Sequence, residues 1–269
     1  MIVIGEKING AIPSMASAIQ NRDEARIQEI AVAQSEAGAD YLDICAGSEP
    51  EKEYDTLCWL LDTVQPVSEV PICIDSPDPR MLLRILPRIQ RPGIINSVSG
   101  EGDKCELLFP FLRDHADWKV IALTCDNSGI PSEPEKKVEI ACRLIEKAAA
   151  YNIAPERILI DPLVLSLSAV GDAMLTFMEA IRQIKARYPQ VGYTSGLSNI
   201  SYGMPARKLV NQNFLTLAMS VGMNSAIMDP LDRGMRETVM AAEALLGRDR
   251  YCRNYNKAYR KGLIGPVKK

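Results

Sequence analysis

The sequence predicts an α/β protein of the (β/α)8 barrel class, and three observations predict it. Short runs rich in Ile, Val and Leu alternate with longer amphipathic runs along the whole chain, as parallel strands covered on both faces alternate with helices. The 269 residues hold eight such units, and this architecture takes roughly 250 residues. Each apolar run also ends on a carboxylate, amide or hydroxyl side chain. A doubly wound open sheet is the alternative. It more often has fewer strands and a Gly-rich first turn, and Gly5-Glu6-Lys7-Ile8-Asn9-Gly10 is not G-x-G-x-x-G.

In chain order, Ile2 to Ile4 reads as the first strand, and Glu24 to Ala37 as a helix stopped by Gly38. Tyr41 to Ile44 leads to the helix Glu51 to Val64, Ile72 to Ile74 to Pro79 to Ile89, and Gly93 to Ile95 to Lys104 to Arg113. Lys119 to Leu123 leads to Pro134 to Tyr151, and Ile158 to Ile160 to Asp172 to Ala186. Gly192 to Thr194 precedes Ala206 to Val221, stopped by Gly222, and Ala226 to Met228 precedes Arg233 to Leu246. No linker or low-complexity stretch divides residues 1–262, which are expected to form a single domain. Residues 263–269 are expected to be a basic, frayed tail.

Composition narrows the function classes. With 47% hydrophobic and 24% charged residues the chain has ample material for a core. A net charge of -3 argues against a nucleic-acid binder, for which a basic face is expected. No apolar run reaches the roughly 18 residues of a membrane span, and the first residues lack the basic start and apolar core of a signal peptide, so the cytoplasm is the expected location. Seven cysteines without a C-x-x-C pair fit reduced thiols better than disulfides or a zinc site. The one histidine, His115, reads as a surface helix-end residue, which removes a His-based triad and a multi-histidine metal site.

The strand ends carry the chemistry. Glu6 and Asn9 follow the first strand; Asp43, Asp75 and Asn96 mark the next three; Thr124, Asp126 and Asn127 follow the fifth. Asp161 ends the sixth, Gly196-Leu197-Ser198-Asn199 follows the seventh, and Asp229 ends the eighth. In a barrel these positions converge on the C-terminal mouth, although Asp75-Ser76-Pro77 and Asp161-Pro162 also read as turns. Gly196 permits close backbone approach to a ligand, and Ser198 and Asn199 offer a hydroxyl and an amide. The mouth therefore has many acceptors and few cations, Lys7 and Arg207 being the exceptions. One glycine after the seventh strand and none after the eighth disfavour a phosphorylated substrate. A divalent metal on Asp75, Asp161 and Asp229 is conceivable. A neutral flat heterocycle rich in N–H donors fits better, because a carboxylate accepts two hydrogen bonds from an amino-pyrimidinone edge.

Five ordered stretches resemble the pterin-binding methyltransferases: Gly5 to Gly10, Cys73-Ile74-Asp75-Ser76, Ile94-Ile95-Asn96-Ser97, Ile160-Asp161-Pro162-Leu163 and Gly196-Leu197-Ser198-Asn199. The group they resemble most is methyltetrahydrofolate:corrinoid protein methyltransferase, similar to the folate domain of cobalamin-dependent methionine synthase. The resemblance implies a pterin-binding barrel that pairs as a homodimer, with tetrahydrofolate or 5-methyltetrahydrofolate in the mouth and no metal held by the chain itself. It implies that Asp75, Asn96 and Asp161 hold the pterin ring, with Gly196 and Ser198 beside it, and that Asn199 is catalytic, bonding to N5. Glu6, Asn9, Asp43, Tyr202, Arg207 and Asp229 are further candidates. The corrinoid, a cobalamin, would be carried by a partner protein. Cys45 stands where the family often has an amide, and Tyr202 stands where relatives differ. A dihydropteroate-synthase-like enzyme would want Arg and His after the eighth strand, where this chain reads Met228-Asp229-Pro230-Leu231-Asp232-Arg233. A non-catalytic pterin-binding subunit is the reading from another class.

Overall fold

The computed structural model describes residues 1–266. Its eight strands are β1 (Ile2–Asn9), β2 (Tyr41–Cys45), β3 (Ile72–Asp75), β4 (Ile94–Gly100), β5 (Lys119–Asp126), β6 (Ile158–Asp161), β7 (Gly192–Tyr193) and β8 (Ser225–Met228). The helices between and after them are α1 (Pro13–Gln20), α2 (Glu24–Glu36), α3 (Pro50–Val64), α4 (Pro79–Ile85), α5 (Lys104–Asp114) and α6 (Pro134–Ala150). They continue with α7 (Ala173–Arg187), α8 (Arg207–Val221), α9 (Arg233–Leu245) and α10 (Arg253–Arg260). The strands pair in parallel in the order β7-β6-β5-β4-β3-β2-β1-β8. Between β7 and β8 the ring closes through one bridge, Gly196 with Ile227, and through the Asn224 and Ile227 N–H groups donating to the Tyr193 and Ser195 carbonyls at 3.2 and 3.0 Å. The predicted (β/α)8 barrel is the architecture found.

Two cores follow from the alternation of side chains along a strand. One fills the space between the sheet and the surrounding helices, with Leu42, Ile74, Ile95, Val120, Leu61, Phe109 and Phe177 among its members. The other lies inside the barrel, where Ile4, Cys73, Ile94, Ile121 and Leu159 pack together with Ile2, Tyr41, Leu123 and Ile227 beside them. One inward step further along the same strands come Glu6, Asp43, Asp75, Asn96, Asp161 and Asp229. The polar floor of the mouth is thus the next layer of the barrel's own interior packing.

The differences from the expected elements have physical causes. β1 runs on to Asn9, past a register shift between Gly5 and Ile8, so Glu6 lies within a strand rather than in a loop. β4 continues to Gly100 through a shift after Asn96, where the Asn96–Ser97 peptide is cis. α1 was not expected: it is eight residues long and buries only Met15, Ala18 and Ile19, too few for a periodic signal. The residues after Gly196 form a short 3-10 turn, Leu197–Ser201, not an open loop.

The frayed tail is corrected for Leu263 to Pro266. Ile264 is buried, the Gly265 N–H donates to Glu237 at 3.0 Å, and its carbonyl accepts from Arg233 at 2.6 Å. The basic residues around it, Arg260, Lys261, Lys268 and Lys269, had made this stretch look solvated, but one buried isoleucine and two backbone bonds anchor it against α9. The rest of that expectation, residues 267–269, lies outside the described residues.

Because Ile121 is fully buried inside the barrel, Ile121→Ala is expected to lower the unfolding free energy by ~2–5 kcal/mol. Urea unfolding at constant m-value measures it.

Candidate active site

Strand register sets the first half of the site. Asp43 lies beside Cys73 and Cys45 beside Asp75 across the β2–β3 pair, and Asp75 is level with Asn96 on β4. The sequences Asp43-Ile44-Cys45 and Cys73-Ile74-Asp75 are therefore reciprocal, with a thiol opposite each acid. Each thiol faces a carboxylate across the strand pair and opposes the rise of that carboxyl's pKa. The Asn96 amide also donates to Asp43 at 3.3 Å. Burial pushes the Asp43 carboxyl well up, and the nearby Asp75 charge adds to that; the Cys73 thiol and the Asn96 amide oppose it. Asp75 is pushed up to about 6, by burial first and by the Glu53 charge, against the Cys45 thiol. Burial drives the ionisation of the Cys45 thiol upward.

Asp161 forms the opposite wall, level with Leu123 of β5. Its Oδ1 accepts the Leu163 N–H at 2.8 Å, and the Gly196 N–H points to the same carboxylate. Burial lifts its pKa to about 6, opposed by those two donors and then by Lys137. Lys137 is itself buried, and its Nζ donates to the Pro162 and Leu163 carbonyls at 2.7 and 2.9 Å. That pins the turn on which Leu163 takes a left-handed φ of 52°. Burial lowers the Lys137 pKa to about 8, partly offset by Asp161.

The remaining candidates gather where β1 meets β8 and the turn after β7. Glu6, Lys7, Leu197, Ser198, Arg207, Asn211 and Asp229 are among the residues lining a cavity of about 380 Å³. Lys7 Nζ pairs with Asp229 at 3.2 Å. Arg207 donates to the Ser198 carbonyl at 2.7 Å and to Ser201 Oγ at 3.0 Å, bracing the turn that carries Asn199. A side-chain carbon on Gly196 would come within 3.1 Å of the Asn199 amide nitrogen, so glycine keeps that amide free to move. Glu6 is pushed up to about 7 by burial and by Asp229, against Lys7 and Arg207.

Two of the further candidates have other engagements in the structure. Asn9 closes its own turn, its Oδ1 accepting the Ala11 N–H at 2.8 Å. Tyr202 is 72% exposed on the rim, its carbonyl held by Ser168 Oγ at 2.9 Å and by Ser166 Oγ at 2.5 Å. Among the described residues no three His, Cys, Asp or Glu side chains form a set able to hold a metal ion, so Asp75, Asp161 and Asp229 do not meet as ligands. A larger cavity of about 560 Å³, lined by Gly10, Arg22, Ser48, Lys52 and Asp55 among others, lies beside the cup and holds none of the inward carboxylates. Lys137 and Glu53 were missed in the sequence because both sit in helical turns rich in charge, where a solvated face is the ordinary reading. A lysine one turn into a helix that follows a strand end was the only available signal for the first.

A barrel of this topology with a floor of weakly countered acids defines a class: the chain matches the pterin binding enzymes over residues 5–229 and belongs to that family. Among individual proteins, it is 54% identical over 269 residues to the methylcorrinoid:tetrahydrofolate methyltransferase of Eubacterium limosum, covering 99% of each chain. The methionine synthase of Mycobacterium leprae is 32% identical over 260 residues, 90% of this chain but 22% of that one. A dihydropteroate synthase of Xanthomonas albilineans, crystallised with 4-aminobenzoic acid, superposes with a TM-score of 0.67 over 93% of this chain and 92% of its own. At 16% identity it shows the shared barrel and nothing finer.

The raised Asp161 pKa carries a sign. Its folded value of about 6 lies above the ordinary 3.8, so the folded state holds this proton more tightly. Stability from this group is complete below pH ~4 and is lost as pH rises through ~6, by on the order of 3 kcal/mol. Asp161→Asn is expected to flatten that part of the profile and to unfold at higher urea concentration at neutral pH. Urea titrations between pH 4 and 8 test it.

Proposed function

We propose that this protein is a methyltransferase that moves a methyl group between the cobalt of a corrinoid on a separate protein and N5 of tetrahydrofolate. In the direction stated by its 54% identical relative's name, methylcorrinoid is the donor and tetrahydrofolate the acceptor. The observation that carries the reading is that near full-length identity, joined to a cup of acceptors matched to a pterin edge. Asp161 is buried and Asp75 half-buried, both with raised pKa and with no ion-pair partner among the described residues. An uncharged ring bringing N–H donors restores the hydrogen bonds that burial removed. Asn96 completes the ring-holding set. Gly196 and Ser198 border it, and Asp43 supports it through Asn96.

Chemically, the N5 lone pair attacks the methyl carbon, the carbon–cobalt bond breaks with its electron pair left on cobalt, and N5 sheds its proton. In reverse, a tertiary amine leaves, which requires a proton or a strengthening hydrogen bond at N5. Asn199 supplies such a bond from an uncharged amide, more strongly as charge develops. The remaining contribution of the protein is binding and orientation toward the incoming partner.

The same reading includes a homodimer and a cytoplasmic location. Leu167, Met174, Ile200, Leu209, Phe214 and Leu217 line an apolar groove along α7 and α8, with Leu209 63% exposed, which supports burial against a second copy. All seven cysteines are free thiols, which supports a reducing compartment. No helix among the described residues is long and apolar enough to cross a membrane.

Mixing the protein with tetrahydrofolate and methylcobalamin is expected to give the cob(I)alamin spectrum, and the reverse mixture methylcobalamin. Folate binding with no transfer in either direction would instead make it a non-catalytic pterin-binding subunit. Asp75→Ala is expected to weaken folate binding by on the order of tenfold to a hundredfold, the loss of one charge-assisted bond of ~1.5–3 kcal/mol. Asn199→Ala is expected to lower kcat more than it raises KM. Leu209→Glu combined with Leu217→Glu is expected to shift the protein from dimer to monomer in light scattering.

A further inference from the structure

Methyl transfer at N5 leaves one proton without a carrier. Asn199 cannot titrate. Asp75 and Asp161 are committed to the ring in the proposed function, and Asp43 is tied to Asn96 and to the Cys73 thiol. Asp229 is paired with Lys7 and takes the Leu231 N–H at 2.9 Å. Glu6 is different. It lies two residues beyond Ile4, on the inward face of β1, and borders the cavity that Leu197 and Ser198 of the Asn199 turn line from the other side. Its carboxylate has neither a hydrogen-bond nor an ion-pair partner among the described residues. The cations nearest to it are engaged elsewhere, Lys7 with Asp229 and Arg207 with Ser198 and Ser201.

We infer that Glu6 is the catalytic acid–base of the methyl transfer, exchanging the N5 proton with solvent through the cavity between β1 and the Asn199 turn. The inference rests on the methyltransferase reading and deepens it. In the direction of folate methylation, N5–H attacks the methyl carbon, the carbon–cobalt electron pair stays on cobalt, and the ammonium proton passes to the Glu6 carboxylate and then to water. In the opposite direction the Glu6 carboxyl gives its proton to N5 as the N5–methyl bond breaks toward cobalt. Atoms and charge balance with no further reactant. Among the described residues, the other acids lining this cavity, Asp229 and Asp232, are both paired with lysines.

The surroundings poise the group for both directions. Charged or titratable groups face it from every side: Lys7 on its own strand, Asp43 on β2, Asp229 after β8 and Arg207 on α8. Burial is the largest influence and Asp229 the next, with the two cations opposing, and the outcome is a carboxyl that titrates at about 7. An acid whose pKa sits at the working pH is present in both protonation states, which is what a reversible proton carrier requires. The sign is opposite for the two directions. Folate methylation needs the carboxylate and speeds up as pH rises through about 7; demethylation needs the carboxylic acid and slows over the same range.

The test uses the full chain, tetrahydrofolate or 5-methyltetrahydrofolate, and free cobalamin in the methyl or cobalt(I) state. Glu6→Gln is expected to lower kcat by roughly 100-fold or more in both directions, to change folate Kd less than threefold, and to remove the limb near pH 7 from both profiles. Glu6→Asp keeps a carboxyl and is expected to retain the limbs at reduced rate. Infrared difference spectra of the wild-type protein give a readout independent of the variants. A carboxylic C=O band is expected to fade with a midpoint near pH 7 and to be missing in Glu6→Gln. Unchanged kcat and pH profile in Glu6→Gln would overturn the inference, as would a loss confined to folate affinity or a wild-type spectrum with no such band. A wild-type protein that binds folate but transfers no methyl group would instead overturn the methyltransferase reading itself.

Discussion

The site depends on one constraint: in a closed parallel barrel, residues two apart along a strand occupy successive layers of the same interior. Ile4, Cys73, Ile94, Ile121 and Leu159 fill one layer with buried apolar side chains. Whatever follows at the next inward position stands on an apolar floor, at the one end of the barrel open to a ligand. In this chain that position is occupied on most strands by an acid or an amide. The same packing that stabilises the barrel therefore desolvates its functional groups. Their raised pKa values share one leading cause, burial, with local partners deciding how far each departs.

This also explains how much of the molecule was legible in the sequence. The strands showed because they are covered on both faces and read as continuous apolar runs, and Asp43, Asp75, Asn96, Asp161 and Asp229 showed because each interrupts such a run at its end. Glu6 was legible as a candidate but not as a strand residue. Gly5, Glu6 and Lys7 carry no apolar signal, and their strand character comes from pairing with β2 across a register shift. Lys137 was not legible at all. Its role depends on where α6 brings a buried amine relative to the Pro162 and Leu163 carbonyls, 25 and 26 residues further on. The facing order of Asp43, Cys73, Cys45 and Asp75 lay open in the two tripeptides. It acquires meaning only once β2 and β3 are paired in register.

The likeness to dihydropteroate synthase shows how far fold and chemistry separate. Two chains sharing 16% identity superpose over more than nine-tenths of their lengths, because layer packing constrains size and hydrophobicity rather than residue identity. What distinguishes chains built on such a barrel is then confined to the residues above the floor and to the loops. Here the end of β8 runs into Asp229 and a lysine-bound turn without histidine, and the turn after β7 is braced by Arg207 rather than opened toward solvent. Cations that could have received an anionic leaving group are already used in holding the backbone and Asp229.

Within the cup, a single environment has to produce acids with different tasks. A ring-holding carboxylate should be ionised at neutral pH so that it accepts, while a proton carrier should be only partly so. Burial alone would raise all of them alike. The distinction lies in their partners: Asp75 has the Cys45 thiol beside it, and Asp161 has two backbone N–H groups with Lys137 behind them, and both titrate at about 6. Glu6 receives no donor of its own and faces the Asp229 charge, and it remains at about 7. An ordinary glutamate already titrates above an ordinary aspartate, so burial displaces all three by similar amounts, and what separates them is what each carboxylate touches. Roles in this site are thus separated by contact: Asp161 is held by backbone N–H groups of its own turn, whereas Glu6 faces the cavity with no donor on it.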